Sequence, residues 1–495
     1  MAQHTARPML WSSTRTGRGE TAATNYCFWR ETLERSFRAH PVTGPVSKTP
    51  VRFTGQEGSP MQTGISCVIG LPEGGYRAYA STRSTDQKRM CVTVWDSTDG
   101  LEWHPVPLGQ DPDGNLPNRV VFDGIPGDQS SVGGPSVAPL RDGRWRMYVW
   151  KHREGHLRYI VAESEDGLRW RVPDFDRPAL YHPHDGGLWK LAEGLSPHEM
   201  VEMALPEAEV WRRRRLWTND ASRVWYDEHR DVYVCYSVWL HPALPDRRVD
   251  VDNAPGVHRL IQRRLSEDGL TWSDPELVLM PDGRDPWDLQ FYFLNVQWHQ
   301  DFLIGCLGYY RVEESQQTMD TELCFSRDGV HWERPVRGAW IPRSPADSGL
   351  PDTSGIYVCD WLDRGDRWLC LYDATPHPHN SRVFECAMMG AFFPRNRFAG
   401  VAATAAPAGL LTEPLFLRSP EILLDASIRG WLRAELTDCF GRKLPGFEIG
   451  RSVPLSGDSE RHSLTWKDCD LRDHLFQFVR LRLEWQDGEL WSVQT

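Results

Sequence analysis

Short runs of alternating apolar and polar residues, rich in Val, Tyr, Trp and Phe, recur through the middle of the chain and are divided by Gly- and Asp-containing turns. Runs of this kind predict strands rather than helices. They fall into units with one plan: an apolar run, a turn, a strongly aromatic run, a looser segment and a corner. The first unit opens at Thr63 (TGISCVIGLPEGGYRAYAS), the second at Gly134 (GPSVAPLRDGRWRMYVWK), the third at Ser222 (SRVWYDEHRDVYVCYSVWL) and the fourth at Phe291 (FYFLNVQWHQDFLIGCLGYY). A fifth, from Gly355 (GIYVCDWLDRGDRWLCLYDAT), keeps the strand–turn–strand opening.

The first four units end in the same corner, Ser-x-Asp-Gly-x-x-Trp, at Ser97–Trp103, Ser164–Trp170, Ser266–Trp272 and Ser326–Trp332. The Asp-Gly pair supplies positive φ for a tight turn between outer strands. The Ser and Asp side chains can bond backbone groups inside the turn, and the Trp covers a neighbouring sheet. The four corner aspartates are therefore read as structural. A seven-residue corner recurring at regular intervals predicts a repeat array, and five such units fit an all-β, five-bladed β-propeller. Trp170 and Trp272 stand farther apart than the other successive pairs. The excess predicts a small helical insertion over about 173–218, where Ser196–Trp217 has a Ser-Pro start and helical periodicity.

Residues 1–50 are polar and irregular, with one short helical stretch around Phe28–Phe37, and are expected to wrap the outside of the propeller. The blades occupy 51–405. Ala402–Leu411 reads as a linker, and 411–495 alternates again and predicts a C-terminal β-sandwich that buttresses the propeller.

Composition narrows the functional classes. A chain of 495 residues can hold more than one domain, and with 40% hydrophobic residues but no long apolar run it predicts no membrane span. The start, MAQHTARPML, has no apolar stretch of signal-peptide length, so a cytoplasmic location is expected. The 11 Cys are scattered through strand runs without a C-x-x-C pair, which predicts buried free thiols rather than a zinc or redox site. A net charge of −12 disfavours a nucleic-acid partner, and Arg212–Arg215 reads as a solvated helix face. The Asp250–Asn253 loop offers oxygen ligands to a structural divalent cation such as calcium but has no spaced ligand series. No metal or cofactor is otherwise expected, and nothing in the chain sets an oligomeric state.

The blade pattern with its Ser-x-Asp-Gly-x-x-Trp corners resembles the five-bladed propeller glycosidases, the group that includes invertase-like and arabinanase-like enzymes. The C-terminal run from Leu432 (LRAELTDCFGRKLPGFEIGRSVPLSGDSERHSLTWKD) looks like the sandwich appended to many glycosidase-like propellers. The resemblance implies a carbohydrate-active enzyme with a sugar or other small-molecule substrate. The characterised enzymes of the group open blade one with an Asn-Asp-Pro or similar motif carrying a catalytic acid. Here Phe53-TGQEGSPMQTG stands in that place, with Glu57 as its nearest acid.

Candidate acids follow from blade register, since the leading residues of each inner strand should face the central funnel. These are Glu57, Asp128, Asp220, Asp288 and Asp352, with Asp220 and Asp288 the leading catalytic pair and Asp128 and Glu57 behind them. Glycoside hydrolysis needs two carboxyl groups across the scissile bond, one a proton donor of raised pKa. Substrate contacts are expected from Trp287 and Gln290 beside Asp288, and from the ends of the second strands: Trp150, His152, Trp239, His241, Tyr310, Arg311 and Asp373. The 23 Trp are more than four corners need, and those near the funnel can stack on sugar rings. Two other readings share the scaffold. One is a non-hydrolytic lyase, isomerase or cyclase of specialised metabolism, which the altered blade-one opening and the expected location favour. The other is a non-catalytic propeller that binds a sugar or a protein.

Overall fold

The computed structural model describes residues 25–27, 33–56, 61–84, 88–111, 116–152, 155–182, 185, 216–243, 249, 252, 256–299, 302–312, 317–381, 383 and 385–495. The described residues are all-β apart from short 3-10 turns, and none of their helices is long and apolar enough to cross a membrane. Most of the expected helical insertion, Ser196–Trp217 up to residue 215, lies outside the described residues. The described start of the insertion is irregular, with a two-residue strand at Leu180–Tyr181.

Five antiparallel meanders make up residues 47–394. Blade one runs Met61–Gly70, Tyr76–Ser84, Met90–Ser97 and Glu102–Pro105. Blade two runs Val132–Pro139, Trp145–Lys151, Arg158–Ser164 and Trp170–Arg171. Blade three runs Ser222–Asp227, Val232–Pro242, Val257–Ser266 and Glu276–Leu279. Blade four runs Leu289–His299, Phe302–Arg311 and Thr318–Ser326, and blade five Gly355–Asp363, Arg367–Thr375 and Ala387–Pro394. The first strand of each blade packs on the first strand of the next, and blade five returns to blade one, so the inner strands form a closed ring.

The ring is closed by the N-terminal segment. Ser47–Pro50 pairs antiparallel with Ala387–Pro394 as the outer strand of blade five. Lys48 is tied there to Asp352, and its ammonium also donates to Ser344 Oγ at 3.0 Å. This segment is thus part of the fold rather than a wrapping, and Leu33–Phe37, expected to be helical, is a strand.

Each corner is held as its residue types require. The corner glycines Gly100, Gly167, Gly269 and Gly329 have φ of 68–78°, a region costly for other residues. The carboxylates of Asp99, Asp166, Asp268 and Asp328 each accept the next two free backbone N–H groups at 2.7–3.0 Å. The corner also receives the preceding blade. Tyr79 Oη donates to Gly167 O, Tyr148 Oη to Gly269 O and Tyr236 Oη to Gly329 O, at 2.8–2.9 Å. The same rings meet Trp170, Trp272 and Trp332 edge-on at 5.8–6.0 Å. Each of these tyrosines lies three residues beyond the partner of the corner serine on the second strand. In blade four that position is Cys306, and the blade that follows has no corner to receive a hydroxyl.

The C-terminal region and three N-terminal strands, Asn25–Cys27, Leu33–Phe37 and His40–Thr43, form one hydrogen-bonded sheet of nine strands around a single core that includes Leu424, Leu436, Leu483 and Trp485, rather than two separate sheets. Its spine is Phe478–Gln494. One edge of the spine pairs with Leu423–Asp438 over nearly its whole length, and Asn25–Cys27, Ala399–Ala403, Ala408–Thr412 and Leu415–Phe416 also pair with it. The expected linker at 402–411 is therefore mostly strand. Small residues there let the chain approach the spine: a Cβ on Gly400 would stand 2.2 Å from Leu490 O. Arg397, at the end of the blades, pairs with Asp425 and Asp458 of this sheet, both at 2.8 Å.

Buried cysteines follow the sequence expectation: Cys67, Cys91, Cys235, Cys306, Cys324, Cys359 and Cys370 are buried free thiols in strands.

Candidate active site

All five inner strands contribute to one cavity of about 450 Å³ on the propeller axis. Four of these strands carry a register slip, at Ile65/Cys67, Gly133/Ser136, Phe291/Leu294 and Val358/Asp360. The residues lodged in the slips, Ser66, Gly134, Pro135, Tyr292, Phe293 and Cys359, all line the cavity. A bulge breaks the two-face alternation and re-aims a side chain, and in this way residues of strands packed between blades come to face the axis. Blade three has no bulge at its inner strand; there the strand start, Asp220–Arg223, faces the cavity.

Arg223 cross-links blades at the axis. Its guanidinium donates to Ser66 O at 2.9 Å and to Cys359 O, and pairs with Asp360 at 2.6 Å. Asp360 also accepts the Val68 N–H at 2.7 Å. The Arg223 charge is thereby matched within the ring.

Two aspartates and a glutamate line the cavity: Asp220, Asp373 and Glu385. Asp373 comes from the second strand of blade five and fits against Gly64 of blade one. Burial pushes its carboxyl up to about 7, and the opposing pull of the Arg83 charge and of a hydrogen bond with the Cys386 thiol does not offset this. Its Oδ1 is enclosed and has no hydrogen-bond partner among the described residues. Near neutral pH, Asp373 is poised between donating and accepting a proton, as a general acid requires. Glu385 accepts from the His377 Nε2–H at 3.0 Å, and the next residue's N–H bonds Gln62 Oε1 of blade one, also at 3.0 Å.

Tyr292, Tyr357, His379 and Arg83 also line the cavity, with Tyr357 directly across the ladder from Asp373. Behind them Arg259 pairs with Asp252 at 2.7 Å, and the Tyr310 hydroxyl donates to Asp252 at 3.0 Å. Asp252, expected among cation ligands, is engaged by these partners, and among the described residues no group of three or more His, Cys, Asp or Glu is gathered for a metal. Asp250 and Asn253 lie outside the described residues.

Of the residues expected at the site, Asp220 and Asp373 both line the cavity, and the other described ones do not. Asp288 is 3% exposed and held by Arg311 at 2.7 Å, a buried ion pair away from the cavity lining. Asp128 caps its own turn by accepting the Ser130 N–H at 2.8 Å, and hydrogen bonding from Ser130 holds its carboxyl below the usual range. Asp352 is the anchor of Lys48. Glu57 lies outside the described residues. Trp150 is buried, stacked on Tyr159 at 5.0 Å, with His152 beside it at 6.1 Å. Trp239 and His241 pair along the ladder of blade three, and Trp287 is 53% exposed; none of the three lines the cavity. Gln290 and Tyr310 sit one layer back, where Gln290 Oε1 accepts from Arg259 at 2.7 Å. The common cause is strand alternation: the expected side chains at second-strand ends mostly point into the gaps between blades, whereas Arg83 of blade one and Asp373 of blade five line the cavity.

Sequence reasoning missed Tyr292, Tyr357, His379, Arg83 and Glu385. The signals present were weak ones: a second Tyr or Phe in succession at Phe291–Phe293, which breaks alternation, and the Pro-His-Pro-His run at 376–379.

No family model and no curated protein sequence matches the chain. Its structure is similar to those of five-bladed propeller glycoside hydrolases. One, described as a glycoside hydrolase, is 14% identical with a TM-score of 0.45, over 73% of this chain and 92% of the other. Another belongs to work on the GH130 family of mannoside phosphorylases and hydrolases that target β-1,2 mannosidic linkages in Candida mannan; it is 11% identical with a TM-score of 0.42, over 70% of this chain and 94% of the other. A third is a family 117 glycoside hydrolase of the marine bacterium Zobellia galactanivorans, 10% identical with a TM-score of 0.42, over 71% and 91%.

Proposed function

We propose that the chain is a glycoside-cleaving, carbohydrate-active enzyme that works in the axial funnel. Asp373 serves as the proton donor to the leaving oxygen, and Asp220 is the second carboxyl group, acting as base or nucleophile. The observation that carries this reading is the enclosed Asp373 carboxyl, raised to about 7 by burial, in the same cavity as Asp220. Cleavage of a glycosidic bond needs two carboxyl groups with different proton affinities. The phenol of Tyr292 and the Arg83 guanidinium add donors suited to a polyhydroxylated ligand. A cavity of about 450 Å³ lies in the range of small-ligand sites.

The test is a screen of aryl glycosides followed by Asp373→Asn and Asp220→Asn. Loss of a hundredfold or more in kcat with the fold retained, about the scale of general acid–base catalysis, is the expected result. Full activity in Asp373→Asn would remove the assignment.

A further inference from the structure

His379 stands between two phenols of neighbouring blades. Its Nδ1 lies 2.6 Å from Tyr357 Oη and its Nε2 3.1 Å from Tyr292 Oη. The Tyr310 ring packs edge-on against the imidazole at 5.0 Å, and the His379 N–H bonds Gln317 O at 3.0 Å. Burial pushes the imidazole down to about 4, the Arg259 charge acts in the same direction, and Asp220 and Asp252 oppose. Burial likewise pushes both phenols above the usual tyrosine range.

Proton counting then constrains the group. Across the neutral range the three side chains carry three exchangeable protons, two O–H and one N–H. The two contacts on the imidazole use one proton each, so one phenol proton is left to donate elsewhere. The distances say which. A separation of 2.6 Å suits a hydroxyl donor, whereas 3.1 Å is ordinary for an N–H donor. Tyr357 donates to Nδ1, Nε2–H donates to Tyr292, and the Tyr292 proton is the one left over. Tyr292 lines the cavity, close enough to Asp220 for that carboxyl's charge to act on the phenol.

We propose that Tyr292 is the ligand-facing hydrogen-bond donor of the funnel, directed at an oxygen of the bound molecule on the Asp220 side, and that His379 and Tyr357 are positioning residues that hold its proton in that direction. The donor role rests on the funnel being the ligand site proposed above; the tautomer does not.

The experiment uses the full chain labelled with 15N-histidine and long-range 1H–15N correlation, with the His379 signal identified by its loss in His379→Gln. Between about pH 5.5 and 8, where an ordinary imidazole titrates, the signal should stay that of a neutral ring protonated at Nε2. Tyr357→Phe removes the donor to Nδ1 and should move the proton to Nδ1, as Tyr292 turns its own toward Nε2. A wild-type ring protonated at Nδ1, a titration near neutrality, or an unchanged tautomer in Tyr357→Phe would overturn the arrangement. With a glycoside from the screen, Tyr292→Phe and Tyr357→Phe should both lower kcat/KM by tenfold or more, somewhat below the scale of a lost oxyanion donor. Wild-type kcat/KM in Tyr292→Phe would overturn the donor role, while the tautomer is read without any substrate, so the two proposals fail separately.

Discussion

A β-carbon on residue 64 would stand 2.4 Å from Asp373 Oδ2. Gly64 of blade one is therefore the space into which the carboxyl of blade five fits, and the acid is seated by contact across the ring rather than by its own strand.

Gly64→Ala should displace that carboxyl. Its φ is unexceptional, so the effect is steric and local. The expected outcome is a loss of glycosidase activity of at least tenfold, comparable to misplacing a reacting group by about an ångström, with circular dichroism and thermal melting little changed. Activity equal to wild type would show that Asp373 has no role in turnover.

The pH dependence of Asp373 has a definite sign. Its folded-state carboxyl lies near 7, above the ordinary value of 3.8, so between these values the folded state binds more protons than the unfolded one. Stability contributed by this group is full at low pH and falls as pH rises through the window. Asp373→Asn should then raise the melting temperature by a few degrees at neutral pH while removing activity, the pattern of an acid kept at a cost in stability. In the wild type, the rate should fall on the basic side with a midpoint near the same pH, read from kcat/KM profiles.

The interblade tyrosines can be weighed one at a time. Tyr79→Phe, Tyr148→Phe and Tyr236→Phe each remove one buried hydroxyl from a corner carbonyl and should cost about 1 kcal/mol apiece. They sit in different blades, so the triple variant should lose about 3 kcal/mol in denaturant titrations, with activity retained. A triple variant as stable as wild type would make the rings, not the hydroxyls, responsible for the junctions.

Lys48 holds the closing strand. Burial alone would raise the Asp352 carboxyl, but hydrogen bonds from Lys48, Ser344 and Tyr372 hold it below the usual range. The stability it contributes is present above the unfolded carboxyl value and is lost as pH falls through the lower folded one. Lys48→Met leaves that carboxylate buried without its cation and should cost about 3–5 kcal/mol at neutral pH, with much of the deficit recovered in Lys48→Met/Asp352→Asn. Chemical denaturation of the single and double variants measures both.

The repeat was legible because its corner depends on local chemistry. Serine, aspartate, glycine and tryptophan stand at fixed offsets within seven residues, and the aspartate's hydrogen bonds to the turn recur in all four copies. Asp220 was legible for a similar reason: it precedes an inner strand, where register alone carries it to the axis. Asp288 precedes an inner strand as well, but Arg311, across the ladder from Leu289, turns that carboxylate into an ion pair. No pattern along the chain separates those two outcomes.

The sequence by itself determined the number of blades, the corners that space them and the strand character of the chain, because each rests on contacts between near neighbours. The tertiary structure alone decided the rest. Closure by Ser47–Pro50, the bulges that turn Ser66, Tyr292 and Cys359 to the axis, and the seating of Asp373 against Gly64 all join residues far apart in the chain. The character of the funnel acid comes from burial, which is set by all five blades together and is not carried by any segment of sequence.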